Sequence, residues 1–222
     1  MGQIEDQYLT IEAPCTAELR ERASKFLAYA FPIESEAACQ AALDEVRKLH
    51  PKATHHCYAW RLGMDKNRYR ANDDGEPGGT AGRPILGQID SFGLTNVLVI
   101  VVRYFGGTKL GTSGLIQAYK ASAAEALQQA EIVEKTIESV FRLDFTYAVM
   151  NSLMGAIKKS GFAILRQEFT DNAGLAEVAI RKSEAAAALL QLKALTAGIH
   201  LEEAELLEKI EGLEITALSA NS

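Results

Sequence analysis

Six consecutive apolar residues, Val97-Leu98-Val99-Ile100-Val101-Val102, constrain the fold of this chain more than any other segment. Five of the six are β-branched, which favours an extended backbone, and an unbroken run leaves no side of the strand for water. The segment reads as a strand covered on both faces. No apolar run in the chain is longer, and six residues are far too few to span a bilayer.

Apolar spacing sorts the rest of the first half around this strand. Tyr8 to Glu12 and Ser24 to Phe31 read as strands, the second closed by Pro32. Ser35 is a good N-cap for a helix in which Cys39, Ala42, Leu43, Val46 and Leu49 recur at helical spacing until Pro51 ends it. His55 to Leu62 reads as a strand with Tyr58, Trp60 and Leu62 on one side. Gly63 to Arg83 has too little apolar surface to bury and reads as a long exposed loop. Pro84 fits the first turn of a short helix carrying Ile85, Leu86 and Ile89. After the buried run, the glycine-rich turn Tyr104 to Gly114 leads into a helix with Leu115, Ala118, Tyr119, Ser122, Ala123, Ala126 and Leu127 inward.

The second half reads strand, helix, strand, strand, helix, strand. Thr136 to Phe145 alternates, Val149, Leu153, Met154 and Ile157 form a helical stripe, and Gly161 suits the helix end. Phe162 to Phe169 and Leu175 to Ile180 flank a turn at Asp171 to Gly174. Ser183 is read as the cap of a last helix with Ala186, Leu189, Leu190 and Ala194 inward, and a final strand is expected between Ile199 and Leu218. This βαββαβ order is that of a ferredoxin-like domain, whose free sheet face can take RNA or protein. The fold class is therefore α+β. The 222 residues fit two domains, 1–130 and 131–222, joined near Ala130 to Lys135.

Charge is uneven along the chain. The formal net charge is −6, yet residues 1–130 hold 14 Lys and Arg against 15 Asp and Glu, and the remainder 9 against 14. From Lys52 to Lys120 the balance reverses, with 9 basic against 5 acidic residues, so a polyanion site belongs in that segment. Cys15, Cys39 and Cys57 form no Cys-x-x-Cys pair, and their odd number argues for reduced thiols rather than a disulfide framework. No amino-terminal signal pattern is present, and a cytoplasmic protein without a membrane partner is expected.

Two segments could carry chemistry. Asp73-Asp74-Gly75-Glu76-Pro77-Gly78-Gly79-Thr80-Ala81-Gly82-Arg83-Pro84 concentrates three carboxylates within four residues. Asp73, Asp74 and Glu76 could hold a hard cation such as Mg²⁺, or the same acids could cap backbone N–H groups or pair with Arg83 or Arg70. The second reading is the stronger, because neither EF-hand spacing nor a second acidic cluster is present. Arg103-Tyr104-Phe105-Gly106-Gly107-Thr108-Lys109-Leu110-Gly111-Thr112-Ser113-Gly114 joins the buried strand to a helix N-terminus. A phosphate cradle flanked by Arg103 and Lys109 and a purely conformational turn both fit it. Its spacing is neither a Walker loop nor G-x-G-x-x-G. His55 and His56 point to opposite faces of a strand and cannot share a metal from neighbouring positions. His55 and Cys57 share a face, but no third group orients them as a nucleophile pair.

Taken together, Ala53-Thr54-His55, Tyr58-Ala59-Trp60, Asp73 to Pro77 with Gly79 to Gly82, and Arg103 to Gly107 with Leu110-Gly111 resemble the signature of the Impact/YigZ family. Ser24-Lys25-Phe26 and the helix start at Gly114-Leu115 are similar as well, so the resemblance covers residues 8 to 130. It implies a first domain with the β-rich α+β fold shared by a ribosomal small-subunit protein domain and domain IV of elongation factor G. The tail is similar to the ferredoxin-like domain of bacterial members. In eukaryotic relatives the resemblance implies a bearing on the control of translation initiation.

The leading expectation is a translation-associated regulatory protein that binds RNA or the ribosome, with a protein partner as a further option and no reading of DNA sequence. His55, Arg83, Arg103, Gly106, Gly107, Lys109 and Gly111 are its candidate binding residues, with no cofactor required. The alternative is an enzyme or binding protein for a small phosphorylated ligand, with Mg²⁺ on Asp73, Asp74 and Glu76; the resemblance supplies no catalytic residue. The acidic loop and the glycine turn are expected to pack side by side.

Overall fold

A computed structural model describes residues 6–64 and 67–218. The chain divides into two compact units, Tyr8–Lys135 and a second that begins at Thr136 and takes in Asp6 and Gln7. Both are mixed α and β. Among the described residues no helix is long and apolar enough to cross a membrane.

In chain order the first part holds β1 (Gln7–Ile11), β2 (Cys15–Glu21), β3 (Ser24–Pro32), α1 (Glu36–Leu49), β4 (His55–Leu62), β5 (Arg68–Asn72), α2 (Gly82–Ser91), β6 (Val97–Tyr104), α3 (Gly111–Gln129) and β7 (Ile132–Thr136). Strand β6 is the middle of a five-stranded sheet ordered β2-β3-β6-β4-β5, in which every neighbouring pair is antiparallel. All six residues of the apolar run are fully buried. Val97, Val99 and Val101 pack with Ile85 and Ile89 of α2 and Leu115 and Tyr119 of α3. Leu98, Ile100 and Val102 pack on the other face with Leu43 and Val46 of α1. The unbroken run is thus a strand with a helix layer on each side, and the alternation within it decides which core each residue joins.

Local chemistry starts and stops these elements. The Ser35 hydroxyl accepts from the Ala38 N–H at 3.2 Å and caps α1. The β2–β3 hairpin turns at Arg22 and Ala23, both left-handed with φ of 43° and 65°. Three strands depart from the sequence expectation. Edge strand β2 alternates a short apolar row, Cys15, Ala17 and Leu19, with Glu18 and Arg20 on its other side, whereas edge strand β5 carries Arg68 and Arg70 and has no apolar stripe, which suits an edge exposed to water. Gly63 to Arg83 is accordingly not one loop, since it contains β5 and the start of α2; its residues 65 and 66 lie outside the described residues. The Ala130 to Lys135 segment, expected as a linker, is mostly strand β7, hydrogen-bonded to β1.

The second unit runs β8 (Glu138–Thr146), α4 (Tyr147–Ser160), β9 (Ala163–Phe169), β10 (Ala173–Arg181), α5 (Ala185–Ala197), α6 (Leu201–Leu206) and β11 (Leu213–Leu218). This is the βαββαβ element order with one short helix inserted, and its antiparallel sheet is ordered β11-β8-β10-β9. Phe141, Leu143 and Phe145 alternate inward against Leu153 and Ile157 of α4 and Leu192 of α5. Gly161 ends α4 with φ of 71°, the left-handed conformation that glycine adopts without strain. Ser183 does not cap α5: its N–H and hydroxyl both turn to the Asp6 carboxylate, and the helix starts two residues later. Within α5 the buried residues are Leu192, Ala194 and Thr196, whereas Ala186 is exposed.

Candidate functional site

The site is built on one row of side chains across three strands. Register places Phe26 of β3 beside Arg103 of β6, and Arg103 beside His55 of β4. Arg103 has only 6% of its side chain exposed, a position a guanidinium tolerates only with a partner. The acidic loop supplies it. Glu76, 4% exposed, accepts from Arg103 Nη1 at 2.5 Å and from the Tyr119 hydroxyl of α3 at 2.8 Å. Arg103 Nη2 reaches the Ser24 hydroxyl at 3.4 Å, and the guanidinium lies 5.6 Å from the Phe26 ring and 5.5 Å from the Phe105 ring. One carboxylate thereby ties the acidic loop to the strand that leads into the glycine turn and to the helix that leaves it.

Around this pair the polar atoms close on one another. His55 Nδ1 is 2.8 Å from the Asp74 carbonyl oxygen, which fixes the ring, and Nε2 is 3.7 Å from Glu76. The Cys57 thiol lies 3.0 Å from the Asp73 carbonyl oxygen and 3.3 Å from the Tyr119 hydroxyl. Burial pushes both the Cys57 thiol and the Tyr119 phenol far above their ordinary values, so Cys57 stays a thiol and is no nucleophile at neutral pH. On the opposite face, His50 bridges Tyr29 and Tyr104 at 2.6 and 2.9 Å, and burial holds its imidazole below the usual value.

The three acids are engaged by the protein itself. Asp73 accepts from the backbone N–H groups of Gly79, Ala81 and Gly82 at 2.8, 3.0 and 2.8 Å. Desolvation pushes its carboxyl up, but these three donors together with Arg83 outweigh that and hold it below the ordinary carboxylate value. Asp74 accepts from the His56 N–H at 2.6 Å and faces Arg47 at 3.9 Å. Among the described residues no three His, Cys, Asp or Glu side chains are grouped to hold a metal. The cation site expected from Asp73, Asp74 and Glu76 is therefore not assembled, because two of them neutralise buried donors and the third anchors a strand end.

The expected binding residues divide in the same way. Arg103 is buried and committed to Glu76, so it is no free contact for a phosphate. His55 is half-buried and held from both sides. Gly106, Gly107, Lys109 and Gly111 are exposed, as is Arg83 in the first turn of α2. Gly106 must be glycine, since a Cβ there would sit 2.0 Å from the Ala23 carbonyl oxygen of the β2–β3 turn. Gly107 and Gly111 have φ of 87° and 72°, which aim the chain into α3. No side chain caps the N-terminus of α3.

The candidate residues read from the sequence omit Tyr119 and Ser24, which contact the Glu76–Arg103 pair, and Phe105, whose ring lies beside the Arg103 guanidinium. The signal for Tyr119 was a phenol hydroxyl on the inward stripe of a helix, since a buried tyrosine hydroxyl usually finds a partner. The free face of the second sheet, expected as a platform, carries the ion pairs Arg142–Asp144 and Arg166–Glu168, with Glu177 beside Arg166 and no aromatic ring among its described residues.

These features lie within a domain of a known class: residues 22–127 match the family model described as the Impact N-terminal domain. The chain belongs to the IMPACT family. It is 32% identical over 165 residues to the IMPACT family member YvyE of Bacillus subtilis, covering 74% of this chain and 76% of that one. It is likewise 32% identical over 166 residues to the IMPACT family member YigZ of Escherichia coli, covering 74% and 81%. A crystal structure of a hypothetical protein, 28% identical, matches it with a TM-score of 0.68 over 97% of this chain and 99% of that one.

Proposed function

We propose that this chain is a translation-associated regulatory protein that binds RNA, in the setting of the ribosome, through the glycine turn between β6 and α3. One observation carries the RNA part. An exposed turn with Lys109 at its crest runs straight into a helix N-terminus that no side chain caps. The first N–H groups of a helix lack intrahelical partners and favour an anion, and a nearby lysine adds charge to their dipole. Arg83 lies exposed at the start of α2, and the neighbouring acids Asp73 and Glu76 are occupied by backbone donors and Arg103. Lys109 and Arg83 are left facing water on this part of the segment from Lys52 to Lys120. The translation part follows from membership of the family. A small-phosphate enzyme using Mg²⁺ would need those same acids free, and their present partners count against it.

Filter binding of structured RNA across a salt series tests this reading. Affinity should fall steeply as salt rises, because each neutralised phosphate releases counterions. Lys109→Ala should reduce the slope of log affinity against log salt by about one unit and weaken different sequences alike. Absent or salt-insensitive binding by the native protein overturns the proposal.

A further inference from the structure

Phe105 is the exposed large hydrophobic side chain of the glycine turn, whereas Leu110 of the same turn is buried. Phe105 is 47% exposed. It follows directly on β6, which is buried up to Arg103, and its N–H donates to the Thr54 hydroxyl at 3.2 Å. The Arg103 guanidinium lies 5.5 Å from its centroid and is itself clamped by Glu76 at 2.5 Å. A cation against an aromatic ring attracts its π-electrons and fixes its position. The ring is therefore presented to solvent, with a cation on one side and its backbone tied down, a few residues before Lys109 and the open N-terminus of α3.

From this arrangement we infer that Phe105 is a stacking position for one unpaired base of a single-stranded or looped RNA, whose adjoining phosphate is taken by Lys109 and the first turn of α3. The inference rests on the RNA reading above and narrows it. A duplex keeps its bases stacked inside and offers only backbone, which an exposed ring cannot use. An unpaired base has a free π-face, and stacking on an aromatic side chain is insensitive to sequence. The local excess of cations argues for a nucleic acid rather than an apolar peptide as the occupant.

The test is fluorescence anisotropy with the full chain and three labelled probes: a short single-stranded oligoribonucleotide, a backbone of the same length without bases, and a duplex. Phe105→Leu should weaken the single strand about tenfold, within the range measured for loss of one stacking ring. It should leave the salt slope and the binding of the abasic backbone and duplex unchanged, while Phe105→Trp retains the single-strand affinity. Circular dichroism of both variants checks the fold. Unchanged single-strand binding by Phe105→Leu, or equal losses on all three probes, overturns the stacking assignment and leaves the RNA reading standing. Failure of the native protein to bind any probe overturns both.

Discussion

Glu76 is a single carboxylate on which two buried donors depend. Removing its charge leaves Arg103 enclosed by Phe26 and the strand backbone with no counter-ion, and an uncompensated buried charge is among the most damaging changes a fold can suffer. Glu76→Gln should lower unfolding stability by about 3 kcal/mol, measured by urea denaturation at neutral pH. Replacing both members, as in Arg103→Met with Glu76→Gln, should recover part of that loss, because the stranded cation is then gone. If Glu76→Gln unfolds at the same urea concentration as the native protein, the pair is not the clamp described above.

At the scale of elements, Gly106 decides how closely the turn after β6 passes over the β2–β3 hairpin. A methyl group there meets the Ala23 carbonyl, and that hairpin already holds two non-glycine residues in the left-handed region. Gly106→Ala should cost about 2 kcal/mol, in the range of overpacked sites, and thermal melting would register it. A variant that melts with the native protein would mean the hairpin moves aside without strain. Elements with a strong period were legible from sequence: the inward stripe of α3 from Leu115 to Leu127 is buried residue for residue as its spacing indicates. Strand β5 was not, because an edge strand bathed in water has no reason to keep an apolar period, and in β2 the alternation is short and made of the small or modest side chains Cys15, Ala17 and Leu19. The approach of the acidic segment to the glycine turn could be expected from shared composition. Its physical link, Glu76 between Arg103 and Tyr119, joins residues 27 and 43 positions apart and leaves no local pattern.

At the scale of the whole molecule, the two units have separate cores, one on either face of the β6 sheet and one between β8, β10 and the helices α4 and α5. Leu143→Ala, at a fully buried position of the second unit, should cost about 3 kcal/mol and lower only one of two transitions in scanning calorimetry. A single transition that shifts as a whole would show that the units unfold together.

Strand β6 is paired along both edges and covered on both faces, so its amide hydrogens meet water only when the unit around it opens completely. Arg103 ends that strand and the turn of Phe105 to Lys109 begins from it. The turn of Phe105 to Lys109 is thus suspended from the strand whose amide hydrogens should exchange most slowly, and its arrangement should outlast any fraying at the edges β2 and β5.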